Sequence, residues 1–269
     1  MIIFTDLDGT LLDSTTYSFV AAQETLTKLR TRAIPLIVVS SKTRAEILPI
    51  RCRLLNEHPF IVENGGAVVM PTNYFPFPLG DTVLRGGCDV VELGTPYRRL
   101  RAALKDIQGE IGRELRGYGD MSVDEIMART GLSREEAELS RKREYDEPFI
   151  LQGPAIPEDR LAEAVETRGL RYTKGDRFFH LMGPHDKGRA VRYLIDCYSR
   201  LAGCDGVKLK SVGIGNSLND LPMLEVVDQP ILVQLTNGSY EPGIELPRLI
   251  RAPGPGPIGW NQAVLSLLS

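Results

Sequence analysis

The stretch that decides the fold is residues 3–12, which read Ile3-Phe4-Thr5-Asp6-Leu7-Asp8-Gly9-Thr10-Leu11-Leu12. An apolar strand runs directly into two carboxylates spaced i, i+2, and this spacing places both on one side of an extended chain. Gly9 allows a sharp turn after them, so the pair is expected at the carboxyl end of a buried strand, where open α/β sheets bind ligands. The alternative is an Asx-Gly turn in which Asp6 and Asp8 are merely solvated.

The composition is that of an ordinary globular protein. The 269 residues, 42% hydrophobic and 25% charged, are enough for about two domains. The net charge of −3 offers no attraction toward nucleic acid or anionic lipid, so neither nucleic acid nor a membrane is expected as a partner. With no basic leader before the first strand and no apolar run of membrane-spanning length, a cytoplasmic location is expected. Four scattered cysteines indicate neither disulfides nor a structural zinc site: Cys52, Cys88, Cys197 and Cys204.

The first part of the chain alternates between strand and helix patterns. A βαβ unit is predicted from the first strand through a helix near residues 19–29 to an apolar run at 34–39. Thr43 and Glu46 form a capping-box pattern that opens the next helix, which Pro49 is expected to kink or shorten. A third strand at 60–62 leads into a hairpin signal, Glu63-Asn64-Gly65-Gly66.

From residue 71 the chain becomes rich in Pro, Gly and aromatic residues, which indicates a crossing between domains. Helices that open at capping boxes at Ser122 and Ser133, together with strand patterns up to residue 182, predict a mixed α+β insert with an antiparallel sheet. The α/β pattern resumes at Asp186 and ends in a Pro-Gly loop at 253–259 and a last short helix. The predicted fold is therefore α/β, with a doubly wound parallel-sheet core at residues 1–80 and 186–269 and an inserted domain at 81–185.

Four groups capable of catalysis or ligand binding fall where elements of the predicted core begin or end: Asp6 with Asp8, Ser40, Lys187 and the segment 215–220. Only a shared crevice at the sheet edge would collect them. One carboxylate of the pair can attack phosphorus while the other protonates the leaving oxygen and later activates water. Ser40 as a turn residue and Lys187 as an exposed lysine are the alternatives, but a cation at a helix N-terminus opposes the helix dipole.

These residues resemble the four motifs of the haloacid dehalogenase (HAD) superfamily of phosphatases, and the match runs through the whole chain in order. The insert between the second and third motifs resembles the C2-type cap of sugar-phosphate phosphatases. Four further stretches resemble the mannosyl-3-phosphoglycerate phosphatase family: residues 40–46, 63–66, 131–133 and 175–180.

The resemblance implies Asp6 as nucleophile, Asp8 as acid and base, and Ser40 and Lys187 as phosphate binders. It also implies Mg²⁺ held by Asp6, Asp8 and the fourth motif, whose candidate ligands are Asn216 and Asp220. The family usually has Asp at position 216, so one ligand here is neutral and weaker Mg²⁺ affinity is expected. The same motifs supply candidate substrate contacts at Ser41, Lys42, Glu63, Asn64, Gly65 and Asn219.

Several polar residues keep two interpretations. The carboxylate of a glycerate substrate needs a cationic partner, which Arg143 or Arg177 can supply, but the basic run at 141–143 also suits a solvated helix end. Glu63 and Asn64 either shape the hairpin or contact sugar hydroxyls. His180 and His185 are spaced poorly for a metal, so packing or polar contacts are favoured.

The predicted function is Mg²⁺-dependent hydrolysis of a phosphate monoester, with a phosphorylated sugar-glycerate, mannosyl-3-phosphoglycerate, as the implied substrate. One alternative is a phosphatase for another sugar phosphate, such as glucosyl-3-phosphoglycerate or sucrose phosphate. A second alternative, motivated by Asn216, is a catalytically impaired protein that binds phosphosugars.

Overall fold

The structure, a computed structural model, describes residues 1–153, 158–174, 177–203 and 209–269. Its strands are β1 (Ile2–Thr5), β2 (Leu36–Val39), β3 (Phe60–Val62), β4 (Ala67–Pro71), β5 (Val83–Arg85), β6 (Cys88–Glu92), β7 (Leu115–Gly117), β8 (Asp146–Leu151), β9 (Arg171–Lys174), β10 (Phe179–Met182), β11 (Ser211–Gly215), β12 (Gln229–Gln234) and β13 (Ile250–Pro255). Its helices are α1 (Gln23–Thr31), α2 (Arg44–Leu54), α3 (Tyr97–Ile111), α4 (Val123–Thr130), α5 (Arg134–Ser140), α6 (Glu158–Glu166), α7 (Lys187–Ala202), α8 (Leu221–Val226) and α9 (Gly256–Leu268). Two features singled out in the sequence lie outside the described residues: positions 175 and 176 of the stretch 175–180, and Cys204.

Nine strands of the described residues form one large sheet in the order β13-β12-β11-β1-β2-β3-β4-β6-β5. The strands from β13 to β3 run parallel, and the last three alternate in direction. The chain builds outward from β1 in both directions, with β2 and β3 on one side and β11 and β12 on the other. This is the predicted α/β core, and its topological switch point lies beside β1.

Successive side chains of β1 alternate between two apolar layers, one on each face of the sheet. Ile3 belongs to the layer beneath α1, α2 and α9, in which Trp260 is fully buried. Ile2 and Phe4 belong to the opposite layer beneath α7 and α8. Because helices cover both faces, the body of β1 is buried and functional groups can be presented only at its end.

The insert is built on a separate antiparallel sheet with the order β7-β8-β10-β9. Helices α3 and α6 pack on one apolar cluster of this sheet, which includes Leu104, Phe149 and Val165. A second cluster joins α4 and α5 to Phe178. The capping boxes predicted at Ser122 and Ser133 are both present. The insert is therefore the expected mixture of helices with an antiparallel sheet.

The predicted start of the insert at residue 81 does not match the sheets. Strands β5 and β6 pair within the large sheet, where β6 lies directly beside β4. Val90 and Val91 of β6 are buried in the core layers. The Pro- and Gly-rich stretch thus turns the chain back to the core instead of leaving it, and we place the start of the insert after Glu92.

Proline marks one expectation that holds only in part and one that was wrong. Helix α2 is not shortened at Pro49 but continues to Leu54, and burial of Ile47, Ile50 and Leu54 stabilises it on both sides of that residue; a kink there stays a prediction. The stretch predicted as a loop at 253–259 includes the end of strand β13 at the sheet edge. Proline is tolerated there because no further strand needs its missing N–H. The last helix, α9, is also longer than expected, at 13 residues.

The cysteines that the structure describes, Cys52, Cys88 and Cys197, are all free thiols. Cys52 is exposed and Cys197 is buried. Within the described ranges, no helix combines the length and the apolar character that a membrane span requires.

Candidate active site

The carboxyl ends of four strands bring polar residues to one edge of the large sheet. Asp6 follows β1, Ser40 follows β2, Glu63 follows β3 and Asn216 follows β11. Helix α7 adds its first residue, Lys187. The crevice predicted from the sequence therefore exists, and it lies at the switch point beside β1.

Lys187 contacts two carboxylates at the bottom of this crevice. Its Nζ donates to Oδ1 of Asp6 at 2.7 Å and to Oδ1 of Asp220 at 2.6 Å. The exposed fractions of Lys187, Asp6 and Asp220 are 1%, 6% and 0%. Burial acts to lower the pKa of Lys187, but Asp220 and Asp6 together raise it well above its ordinary value, so the ammonium stays charged. The interpretation of Lys187 as an exposed surface lysine is wrong.

Asp6 is fixed by its main chain and placed in an unusual electrostatic environment. Its N–H donates to the carbonyl oxygen of Ile214 at 2.9 Å, and its carbonyl accepts from Oγ1 of Thr5 at 2.8 Å. Burial and then the Asp220 carboxylate raise the pKa of Asp6 to about 7, while Lys187 opposes them. A further cation beside Asp6 would favour its ionised form.

Asp8 lies nearer the solvent than Asp6 and is paired with Lys42. Its Oδ2 is 3.0 Å from Nζ of Lys42, and 40% of its side chain is exposed. Its Oδ1 is buried with no hydrogen-bond partner among the described residues. A Cβ at Gly9, where φ is +71°, would lie 2.5 Å from Nδ2 of Asn216. The Asn216 amide thus packs against the turn that follows the two carboxylates.

Asp220 closes the loop that follows β11. Its Oδ2 accepts from the N–H of Asn216 at 2.9 Å and from the N–H of Ser217 at 3.1 Å, and its Oδ1 accepts from Lys187. Both oxygens therefore already have donors. Asp220 thus supports Lys187 and the Asn216 main chain, and its role as a metal ligand stays a prediction.

The remaining oxygen donors suit a hard cation. Asp6 offers a carboxylate, Asp8 a main-chain carbonyl and Asn216 an amide oxygen, and Mg²⁺ accepts all three types. No group of three His, Cys, Asp or Glu side chains within the described ranges is arranged to hold a metal.

Ser40 is tied to the turn after β3. Its carbonyl accepts from the N–H of Asn64 at 3.0 Å, and its Oγ accepts from the N–H of Lys42 at 3.2 Å. Asn64 in turn accepts from Nδ2 of Asn219 at 3.2 Å. Ser40 is 1% exposed, so it is not an ordinary surface turn residue. The structure brings Ser40, Asn64 and Asn219 together, as the sequence predicts.

Glu63 and Gly65, predicted as substrate contacts or as shaping the hairpin, make structural contacts between the core and the insert or helix α7. The two carboxylate oxygens of Glu63 accept from the N–H groups of Glu144 and Tyr145, each at 2.8 Å. Burial raises the pKa of Glu63 to about 8. A Cβ at Gly65, where φ is +94°, would lie 2.0 Å from the carbonyl oxygen of Asp186. Glu63 thus fastens the insert to the core, and Gly65 permits a close approach of two backbones.

A cleft of about 880 Å³ lies between the core and the insert. The core contributes Asp8, Ser41, Lys42 and Asn216 to its lining, and the insert contributes Tyr118, Arg143, Arg177, Phe178 and His180. Both walls thus carry candidate residues from the sequence, and the insert wall adds aromatic side chains and a histidine.

Arg143 is held rigidly in the insert wall. Its Nη1 donates to the carbonyl of Ser41 at 3.0 Å and its Nε to the carbonyl of Ser140 at 2.8 Å. Its guanidinium carbon lies 5.5 Å from the ring centre of Tyr118, and 8% of the side chain is exposed. The interpretation of Arg143 as a solvated helix end is therefore wrong.

Arg177 is placed differently from Arg143. Its side chain donates to the carbonyl of Thr130, and the residue is exposed at the edge of the insert. It still lines the cleft, so the structure brings it to the site without fixing it as firmly.

One residue of the cleft region, Asp146, was missed from the sequence. It is fully buried at the start of β8, and its Oδ2 lies 2.8 Å from Nδ1 of His180 on β10. A single Asp before an apolar run ordinarily indicates a turn, so its position carried no useful signal.

His185 is buried with its Nε2 3.3 Å from the carbonyl oxygen of Glu63. Both histidines make polar contacts, which is the interpretation that their spacing favours.

Comparison with known proteins identifies the family. The family model of haloacid dehalogenase-like hydrolases matches residues 3–75. A glucosyl-3-phosphoglycerate/mannosyl-3-phosphoglycerate phosphatase of Methanococcoides burtonii is 44% identical over 99% of this chain and 97% of its own length. A mannosyl-3-phosphoglycerate phosphatase of Pyrococcus furiosus is 37% identical over 86% of this chain and 90% of its own. A solved structure from Thermoplasma acidophilum, 17% identical, shares the fold with a TM-score of 0.68 over 99% of this chain and 97% of that one. The chain therefore belongs to the glucosyl-3-phosphoglycerate/mannosyl-3-phosphoglycerate phosphatases, a family of haloacid dehalogenase-like hydrolases.

Proposed function

We propose that this phosphatase hydrolyses the phosphate monoester of glycosyl-3-phosphoglycerates, releasing inorganic phosphate and a glycosylglycerate. The observation that carries the proposal is the buried contact of Lys187 with Asp6 and Asp220 below a cleft whose insert wall holds Arg143. The relative from Methanococcoides burtonii is named for both the glucosyl and the mannosyl compound, so we include both sugars. Mannosyl-3-phosphoglycerate is the substrate implied by the sequence motifs.

The chemistry proceeds in two displacements. Asp6 attacks the phosphorus atom, a bond forms between its carboxylate oxygen and phosphorus, and the ester bond to the glycerate oxygen breaks. Asp8 donates a proton to that leaving oxygen and then accepts one from the water that hydrolyses the aspartyl-phosphate, which regenerates Asp6. Lys187 and Ser40 hold the phosphoryl oxygens throughout. A positioned ammonium stabilises the charge that develops on them.

We propose Mg²⁺ as the cofactor of this reaction. Asp6, the main-chain carbonyl of Asp8 and the amide oxygen of Asn216 would hold it. When bound, Mg²⁺ would reduce the repulsion between the Asp6 carboxylate and a phosphate dianion. Burial and the neighbouring Asp220 raise the pKa of Asp6, and a bound cation would favour its ionised form, the nucleophile.

Arg143 is our candidate for the carboxylate of the glycerate. Its Nη1 contacts the carbonyl of Ser41, which is the residue directly after the proposed phosphate binder Ser40. The carboxylate and the phosphate of 3-phosphoglycerate lie on the two ends of a three-carbon unit, so their binding groups must be close neighbours. Arg177, which is exposed at the edge of the insert, meets this requirement less well.

Phosphate release provides the test. The wild-type protein with Mg²⁺ should release phosphate from mannosyl-3-phosphoglycerate and from glucosyl-3-phosphoglycerate, and Asp6→Asn should abolish turnover. Asp106→Asn, on the exposed side of α3, is the matched control and should retain full activity. Faster hydrolysis of sucrose phosphate would favour another sugar phosphate as substrate. Binding without turnover would favour the impaired-binder alternative, and activity in Asp6→Asn would refute the mechanism.

A further inference from the structure

The proposed reaction does not use the buried carboxylate of the insert, Asp146. This residue is 0% exposed, and its Oδ2 contacts Nδ1 of His180 at 2.8 Å and Nη1 of Arg143 at 3.6 Å. Burial acts to raise the pKa of Asp146, but His180 and then Arg143 lower it, and the net pKa is below the ordinary value. A buried charge is costly unless it is paired, so Asp146 and its two partners form one unit.

Asp146 determines which nitrogen of His180 is available. A carboxylate on Nδ1 holds the proton there, so in the neutral imidazole Nε2 carries a lone pair and accepts hydrogen bonds. Nε2 has no protein partner among the described residues, while His180 lines the cleft with 21% of its side chain exposed. The cleft wall thus presents an oriented acceptor.

The surroundings of His180 suit a sugar. Phe178, two residues before His180 in the chain, also lines the cleft, and its ring meets that of Tyr118 edge to face with ring centres 5.1 Å apart. The apolar face of a pyranose packs on such aromatic surface while its hydroxyls need hydrogen-bond partners. With the phosphate at Lys187 and the carboxylate beside Ser41, the sugar on the middle carbon of the glycerate is directed toward the insert wall.

We propose that His180, oriented by Asp146, accepts a hydrogen bond from a hydroxyl of the glycosyl group and is a specificity-determining residue of this phosphatase. The inference rests on the proposed function, because it assigns a subsite to the sugar of that substrate. Phe178 forms the apolar side of the same subsite. The core residues read the phosphoglycerate, and the insert reads the sugar.

Two substitutions separate the contacts of His180. Asn can imitate Nδ1 and retain the contact with Asp146, whereas Gln can imitate Nε2 and offer an amide oxygen to the sugar. We expect His180→Asn to lower kcat/KM for mannosyl-3-phosphoglycerate about tenfold or more, mainly through KM, and His180→Gln to recover part of that loss. Neither should change the inhibition constant of 3-phosphoglycerate, which lacks the sugar.

The control is His58→Gln, since His58 contacts Tyr74 and does not line the cleft. Equal losses for mannosyl-3-phosphoglycerate hydrolysis and for 3-phosphoglycerate binding would show a merely structural role and overturn the inference, as would unchanged kinetics in His180→Asn. Failure of the wild type to hydrolyse either glycosyl-3-phosphoglycerate would instead refute the proposed function. The thermal midpoint of each variant identifies one that has lost its fold, and Phe178→Leu, which removes the aromatic face of the same subsite without touching Arg143, then provides the second test with the same expected selectivity.

Discussion

Replacing Lys187 by Met should separate the electrostatic role of its ammonium from its packing. Met keeps an unbranched side chain of similar length, but the carboxylates 2.7 Å and 2.6 Å from Nζ lose their cation. At an effective dielectric of about 20, a charge about 4 Å from a phosphate oxygen contributes about 4 kcal/mol, which corresponds to about a thousandfold in rate. We therefore expect kcat/KM for phosphate release to fall by about three orders of magnitude.

The same substitution should destabilise the fold. Removing one partner of a buried ion pair costs about 3–5 kcal/mol, because the remaining charge is left without compensation. Adding Asp220→Asn removes one of the two orphaned carboxylates, so the double variant should be more stable than Lys187→Met in urea unfolding. It should not be more active, because the cation that holds the phosphate is still missing.

The control is Lys28→Ala, which removes an exposed lysine paired with Glu24 on the same helix. Its activity should equal that of the wild type, because exposed pairs of this kind contribute little. Lys187→Met with activity within about tenfold of the wild type would refute the electrostatic argument. Recovery of activity by the double variant would also refute it, since the loss would then come from destabilisation alone.

Two further predictions concern the metal and the acid stability. Asn216→Asp should tighten Mg²⁺ binding about tenfold in calorimetric titration of the protein alone, because it adds one ligand charge, and an unchanged titration would contradict the assignment. Burial lowers the pKa of His185 to about 4, so the stability that its neutral form contributes is complete above pH 6.5 and is lost as the pH falls toward 4. Urea unfolding should show a loss of about 3 kcal/mol over this interval. His185→Gln should have a flatter pH dependence, and an identical slope in both proteins would exclude this origin.

The catalytic edge was predictable because its residues follow local patterns. Asp6 and Asp8 come at the end of an apolar strand, and Lys187 begins a helix where a cation is otherwise unfavourable. A parallel sheet then brings separate strand ends together without any further information from the sequence. The structure confirms the α/β core and the convergence of these groups.

The parts that could not be predicted depend on contacts between distant segments. Glu63 was a candidate for sugar binding, but its carboxylate meets an N–H group 81 residues later in the chain. No local pattern reports such a pairing, and the positive φ of Glu63 is equally compatible with a simple hairpin. Asp146 was missed for the same reason, because its importance comes from side chains on other elements.

The sheet boundaries failed for a different physical reason. Composition identifies where a chain turns, but not to which sheet it returns, and β6 returned to the core through pairing with β4. Prolines in 253–255 indicate a loop unless the strand lies at an edge, where the missing N–H costs nothing. Edge position is a property of the assembled sheet and cannot be read from one segment.

The fastening of the insert by Glu63 limits how the cleft can open. Besides its two chain crossings, the insert is joined to the core in its middle, where Glu63 holds the N–H groups of Glu144 and Tyr145 and Arg44 pairs with Glu144 at 3.1 Å. A domain attached only by its two chain crossings can rotate as a rigid body, but this insert must first break a third set of contacts with the core. Opening of the cleft thus requires that these contacts, and the contact of Arg143 with the carbonyl of Ser41, be broken, so in the proposed reaction their breaking precedes product release.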